Sequence, residues 1–163
     1  MKSVLALVFA ACCLFRAGFS FADDGGKQLA GTWKVVSLVT SFDGGDKVEP
    51  FGPDPKGRLV LTPQGDWIIL QTRTNRAPAK TVEEKAALLD SMLAYSGKYT
   101  IDGNRMTIRV DMSWNEIDTG ANRIRTRFFT VDGDKLIIRI GLIASAIRTG
   151  QKAEGTLTFE REH

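Results

Sequence analysis

The sequence predicts an all-β domain, an eight-stranded antiparallel up-and-down barrel with one short α-helix between strands 3 and 4. Three observations support this prediction. Glycine supplies 16 of the 163 residues, more than the usual ~7%, as expected for a chain with many tight turns. Short β-branched and aromatic runs alternate with turn signals such as Asp132-Gly133-Asp134. A single stretch has helical periodicity. A two-sheet sandwich is the alternative architecture.

The predicted strands follow one another as a meander joined mostly by hairpin turns. Closing such a meander into a barrel removes exposed edges and leaves an interior for side chains or one small ligand. A loop with three prolines, from Glu49 to Gly57, separates the first two strands because proline cannot continue a ladder. The eight predicted strands are Gly31–Phe42, Arg58–Thr62, Trp67–Thr72, Gly97–Ile101, Arg105–Ser113, Arg123–Val131, Lys135–Ile140 and Gly155–Glu160.

The one helix is predicted at residues 82–94. Thr81 and Glu84 have the spacing of a capping box, in which each side chain binds a backbone N–H of the first turn. The apolar face of the helix comprises Ala86, Leu89, Met92 and Leu93. We expect this face to cover one end or side of the barrel; a gate over the cavity is the alternative.

The first 22 residues have the pattern of a secretory signal peptide. A positive Met1-Lys2 precedes an unbroken apolar run from Val4 to Phe15, and Ser20-Phe21-Ala22 carries the small residues of a cleavage motif. We expect cleavage after Ala22 and export, to the periplasm in a Gram-negative host and to the medium otherwise. We expect the remaining domain, 23–163, to begin with a short flexible polar lead-in from Asp23 to Gln28.

No permanent membrane anchor is expected. The apolar run of 12 residues is shorter than the roughly 20 needed to span a bilayer. Lipidation at Cys12 or Cys13 is disfavoured because Phe9-Ala10-Ala11 lacks the leucine usual before a lipidated cysteine.

Removal of residues 1–22 limits the chemistry available to the domain. It takes away both cysteines together with Lys2 and Arg16, so the formal charge of +3 falls close to neutral. The only histidine is His163 at the C-terminus. Ser–His and Cys–His nucleophiles and His- or Cys-rich zinc sites are therefore excluded, while carboxylate-only sites stay open. The sequence has no phosphate-loop motif, and we expect no cofactor. A nearly neutral surface gives no reason to expect nucleic acid as a partner.

Several segments resemble the lipocalin-like domain proteins of bacteria and fungi, within the wider group of calycin barrels. The resemblance runs over most of the domain in the right order. It implies a barrel that binds a small hydrophobic or amphipathic molecule, with Arg161 lying across the ring of Trp33 as a plug at the closed end. The segments that carry it are Leu29–Val36 with its Gly-x-Trp, Pro50–Leu59, Tyr95–Tyr99, Val110–Asn115 with Gly120, and Phe159–Arg161.

The most specific candidates for ligand binding are charged residues within strands. Arg109 and Asp111 share one face of the fifth strand, and Arg123, Arg125 and Arg127 share one face of the sixth. In the first interpretation, the apolar faces with Ile108 and Phe128 point inward and the arginines lie in water. In the second, Arg125 and Arg127 point inward and bind an anionic head group through bidentate hydrogen bonds.

Aromatic residues at strand starts and loops, including Trp67, Phe51 and Tyr95, are first expected in the core. Tyr99 and Trp114 are the candidates for lining the mouth of a pocket. The predicted binding set therefore comprises Tyr99, Arg109, Asp111, Trp114, Arg125 and Arg127.

Three functions are open at this point. The first is an exported binder of a small hydrophobic or amphipathic molecule, an anionic one included. The second is an isomerase, cyclase or lyase that uses Asp111, Tyr99 or an arginine for acid–base chemistry in a dry pocket. The third is an interaction or inhibitor protein with a filled barrel and an exposed apolar patch.

Overall fold

The computed structural model describes residues 24–115, 123–145 and 147–163. The predicted signal peptide at 1–22, its cleavage site, Cys12 and Cys13, and Gly120 of the resemblance lie outside these residues. The helices are α1 (Asp24–Leu29) and α2 (Val82–Asp90). The strands are β1 (Gly31–Phe42), β2 (Lys47–Val48), β3 (Lys56–Leu61), β4 (Asp66–Thr72), β5 (Met92–Asp102), β6 (Arg105–Ser113), β7 (Ile124–Asp132), β8 (Lys135–Ala144) and β9 (Lys152–Glu162).

The predicted closed antiparallel up-and-down barrel is confirmed. Each long strand pairs with the next along the chain, and β9 pairs with β1 from Ala153 to Glu162 to close the sheet. The two-residue strand β2 pairs only with the end of β1. Because β2 adds a strand to the count, the helix α2 lies between β4 and β5.

The two ends of the barrel differ. The closed end carries the short turns after β3, β5 and β7 and both described chain ends, whereas the open end carries the longer connections after β1, β4, β6 and β8. At the closed end Trp33 is fully buried, and its Nε1 donates to the carbonyl of Leu29 at 2.8 Å. The guanidinium of Arg161 lies 4.0 Å from the Trp33 ring centroid, as the resemblance implied.

The lower half of the interior, next to the closed end, is filled by apolar side chains. Leu59, Leu61, Leu136 and Phe159 are fully buried there around Trp33. Removing such side chains from water stabilises a fold by roughly 25 cal/mol per Å² of apolar area, so this half holds the barrel together without a disulfide.

Two expectations about local structure are wrong. The helix ends at Asp90 rather than 94, because Met92 and Leu93 pair with Thr72 and Gln71 of β4 and so begin β5. The polar lead-in is the short helix α1 from Asp24, and Arg161 donates to the carbonyls of Gln28 and Ala30 at its end. The capping box of Thr81 and Glu84 is present as predicted.

The sheet contains a bulge where β5 crosses from Ser96 to Gly97. A Cβ at Gly97 would overlap the carbonyl oxygen of Arg109, so only glycine allows the two strands to approach this closely. The register shift also turns Met112 outward, where it is 70% exposed. In the described chain, no helix is long and apolar enough to cross a membrane.

Candidate functional site

Two arginines of β7 lie on the inner face of the barrel. Arg125 pairs with Ile108 and Arg127 with Met106, and both of these β6 residues are fully buried. Directly opposed residues of an antiparallel pair point to the same side of the sheet, so the arginines share the interior with the β6 core. Arg127 is only 7% exposed.

The first interpretation of the strand faces is therefore half correct. On β6 the apolar residues Met106, Ile108 and Val110 point inward as expected. On β7 the expectation is wrong, because Ile124 and Phe128 are each about half exposed while the arginine face is inside. Alternation defines two faces, but only the pairing with β6 decides which one is buried.

Tyr95 of β5 faces the two arginines. The Arg125 guanidinium lies 5.6 Å from the centroid of the Tyr95 ring. The other neighbour of this ring is Trp67, stacked at 5.8 Å between centroids with 17° between planes. Burial raises the pKa of the Tyr95 phenol, and the positive charges of Arg127 and Arg125 only partly oppose that rise. The hydroxyl is therefore a neutral donor at physiological pH.

Burial also acts on the charge of Arg125. It lowers the pKa of the guanidinium, and the like charge of Arg127 lowers it further, while Tyr95 opposes the change. Arginine stays protonated in spite of such shifts, because its ordinary value lies far above neutral. The upper half of the interior thus holds two positive charges.

Gln71 adds an amide to this polar region. It lies on the inner face of β4, two residues beyond Ile69, which pairs with Tyr95. Gln71 is 0% exposed, and neither its Oε1 nor its Nε2 has a hydrogen-bond partner among the described residues. Leaving a buried polar atom unpaired costs about 1–3 kcal/mol. Both polar atoms of this amide are therefore open to a hydrogen-bond partner from outside the described residues.

Among the residues whose side chains the structure describes, no carboxylate lies in this region. Every Asp and Glu whose burial the structure describes is exposed, except Asp66 and Glu162. Asp66 is the first residue of β4, where Lys98 and the Thr62 hydroxyl hydrogen-bond to it and lower its pKa. Glu162 pairs with Arg58 at 2.6 Å. Neither carboxylate neutralises the interior arginines.

The other predicted binding residues are spread around the barrel. Arg109 and Asp111 are exposed on the outer side, and Asp111 accepts a hydrogen bond from the Ser96 hydroxyl at 2.6 Å. Tyr99 is buried near the closed end, where its hydroxyl donates to the Thr62 carbonyl at 3.0 Å. Trp114 is half-buried at the open end of β6, and its Nε1 is buried without a partner among the described residues.

The structure thus brings together Arg125 and Arg127 with Tyr95, and places Trp114 at the open end. Gln71 was missed as a site residue. Its signal was available, since alternation from Trp67 through Ile69 puts a polar side chain on an inward position of β4. The acid–base candidate Asp111 lies outside the interior. Binding roles for Tyr99, Arg109 and Asp111 stay predictions.

The expectation that the apolar face of α2 covers one end or side of the barrel is wrong. None of its residues is buried, and Leu89 is half exposed. Beside it, an open groove of about 420 Å³ runs along the segment from Arg73 to Ala79. The groove is bridged by Arg76, whose guanidinium donates to the Leu88 carbonyl at 2.8 Å.

The described residues contain no group of three or more His, Cys, Asp or Glu side chains placed to hold a metal ion. Four polar side chains instead lie on the inner face of the barrel: the guanidinium groups of Arg125 and Arg127, the phenol of Tyr95 and the amide of Gln71.

Comparison with known proteins agrees with this geometry. No curated protein gives a significant match. The family profile described as a lipocalin-like domain matches residues 30–162, which span the barrel from the start of β1 to the end of β9. The fold of this family is a small-molecule binding fold. The chain therefore belongs to the lipocalin-like domain family.

Proposed function

We propose that this protein is an exported carrier that binds a small amphipathic molecule in the upper half of its barrel. The observation that carries the proposal is Gln71, fully buried with both amide atoms unpaired in the described chain. A fold tolerates such a cost where a ligand supplies the missing hydrogen bonds.

The filled lower half fixes the orientation of the ligand. Below the arginines the interior is occupied by the apolar core, so the polar end of a ligand stops at Gln71 and Tyr95. Its apolar part extends toward the open end. The partly buried side chains of Phe51, Leu93 and Ile140 pack against the core and would offer it apolar contact.

The test is saturable uptake of a fluorescent fatty-acid probe by the purified chain. Gln71→Leu keeps an inward side chain of similar size without polar atoms. We expect this variant to weaken binding of the probe and to raise the unfolding midpoint of the ligand-free chain, because two unpaired buried atoms are removed. Gln64→Leu, in the exposed turn after β3, is the matched control and changes neither quantity.

Two results would contradict the carrier proposal. One is an absence of saturable uptake by the wild-type chain, which would favour the filled-barrel interaction protein. The other is equal uptake by Gln71→Leu and the wild type, which would place the probe elsewhere, for example in the open groove beside α2.

Export is the second part of the proposal, supported by the positive start, the apolar run and the small residues up to Ala22. Expression of the full chain in a Gram-negative host, followed by fractionation, tests it. We expect the periplasmic product to have the mass of a chain that begins at Asp23. Recovery of the uncleaved chain in the cytosol would contradict export.

A further inference from the structure

We propose that the polar end of the ligand is a carboxylate, held by the guanidinium of Arg127 with Gln71 and Tyr95 as neighbouring hydrogen-bond groups. This inference rests on the proposed function and names the chemical class of the ligand.

Arg127 is the residue that points to an anion. Its side chain is nine-tenths buried in the interior. Its guanidinium donates to the carbonyl of the preceding residue, Thr126, at 2.8 Å, and the Tyr95 phenol is a second hydrogen-bond neighbour. None of the ion pairs among the described residues includes Arg127, so no carboxylate of these residues lies within ion-pair distance of its guanidinium. A guanidinium has five N–H donors, so Arg127 can still donate to both oxygens of a carboxylate.

The surroundings favour negative charge over a neutral polar group. Arg125 contributes a second positive charge to the same interior, over the ring of Tyr95. Burial keeps Tyr95 protonated, so its hydroxyl can donate to an oxyanion. The Gln71 amide supplies a further donor in Nε2. An anion thus meets donors and positive charge on several sides and, within the described chain, no competing carboxylate.

The shape of the guanidinium favours a carboxylate. Its planar fork matches two coplanar oxygens in a bidentate pair, which adds geometric specificity to charge. The filled core directly below leaves the anion at the inner end of the ligand, so a single terminal charge on an apolar chain fits the site.

The experiment compares amphiphiles of equal chain length that end in a carboxylate, an alcohol or a phosphate. Affinity is measured by displacement of a neutral probe from the purified chain. We expect the wild type to bind the carboxylate at least about tenfold more tightly than the alcohol. Arg127→Met is expected to lose about tenfold for the carboxylate and less than about twofold for the alcohol, so that the preference disappears.

A stability readout separates a binding role from a structural one. Arg127→Met removes a buried charge that has no carboxylate partner in the described chain, so we expect a higher unfolding midpoint without ligand. A structural arginine would give a lower midpoint instead. Should Arg127→Met fail to fold, Arg127→Lys is tested instead. Lysine keeps the positive charge but lacks the planar pair of N–H donors, so we expect its affinity for the carboxylate to lie between those of the wild type and a variant without the charge. Arg139→Met removes an outward arginine of β8 and is the control.

Each outcome has one meaning. Equal affinity for carboxylate and alcohol in the wild type overturns the carboxylate proposal and leaves the carrier intact. Preference for the phosphate overturns the carboxylate class. Loss of both ligands in Arg127→Met together with a lower midpoint overturns the assigned role of Arg127. If the wild type binds none of the three, the proposed function itself fails.

Discussion

Arg161 joins three separate parts of the chain at the closed end. Its guanidinium stacks on Trp33, donates to the Ala30 carbonyl at 2.9 Å, and lies 3.6 Å from Asp134 in the turn after β7. The planar group presents its face to the indole and its edge to the carbonyls at the same time, which an ammonium cannot do. This one side chain therefore fixes how the first strand meets the last hairpin.

Arg161→Ala is expected to destabilise the fold by about 2–3 kcal/mol, the combined scale of a buried cation–π contact and two hydrogen bonds. Chemical denaturation measures the change in the free energy of unfolding. Arg139→Ala, on the outer face of β8, is the matched control and is expected to change it by less than about 0.5 kcal/mol. Equal values for the two variants would show that the stack contributes nothing.

Single residues also show how far sequence reasoning extends. The Trp33–Arg161 contact follows from the resemblance to related barrels, and the structure confirms it. The inward direction of Arg127 could not be fixed, because Phe129 continues the arginine face while Phe128 offers an apolar alternative. The pairing of β7 with β6 decides which face of β7 points inward. That register depends on both strands and cannot be read from the sequence of β7 alone.

Among the elements, α2 depends on its own sequence more than on packing. Thr81 accepts a hydrogen bond from the Glu84 backbone N–H at 3.2 Å, and Glu84 in turn accepts from the Thr81 N–H at 3.1 Å. No residue of the helix is buried. Isolated short helices are marginal in water, so this one relies on its cap and on the chain at its two ends.

Thr81→Ala is therefore expected to loosen α2 locally, by about 1 kcal/mol, without changing global stability measurably. Amide hydrogen exchange should speed up in the first turn of α2, while the denaturation midpoint stays at the wild-type value. Thr149→Ala, in the exposed connection after β8, serves as the control for the exchange measurement. A large drop in the midpoint would mean that the helix contributes to the core.

The elements were predictable where local signals and pairing agree. The Thr81 cap marks the start of α2 in the sequence and in the structure. The end was misplaced because Met92 and Leu93 continue the helical spacing of apolar residues, while the ladder to β4 offers them backbone hydrogen bonds in an extended conformation. Tertiary pairing overrides a weak local preference of this kind.

At the scale of the whole molecule, alkaline pH should report on the packing of the barrel. The chain has two tyrosines, and burial raises the pKa of both above the ordinary value of 10.0. The negative charge of Asp66 adds to the rise at Tyr99. Folding favours the neutral phenols, so their contribution is complete below pH 10 and is lost as the pH rises toward the folded values.

We expect tyrosinate absorbance to appear only above pH 10, together with the loss of structure followed by circular dichroism. The sign follows from the unfolded chain, whose tyrosines release protons first and so draw the equilibrium toward unfolding. Titration of both tyrosines near pH 10 with the barrel still folded would contradict the burial described for Tyr95 and Tyr99.

The pairing of β1 with β9 has a consequence for biosynthesis. Because β9 (Lys152–Glu162) follows β1 far along the chain, the cylinder cannot close until β9 has left the ribosome. Contacts of such wide sequence separation form slowly, on the scale of milliseconds to seconds. Until then β1 and β8 each keep a bare edge, and a chaperone that shields those edges would raise the yield of native protein.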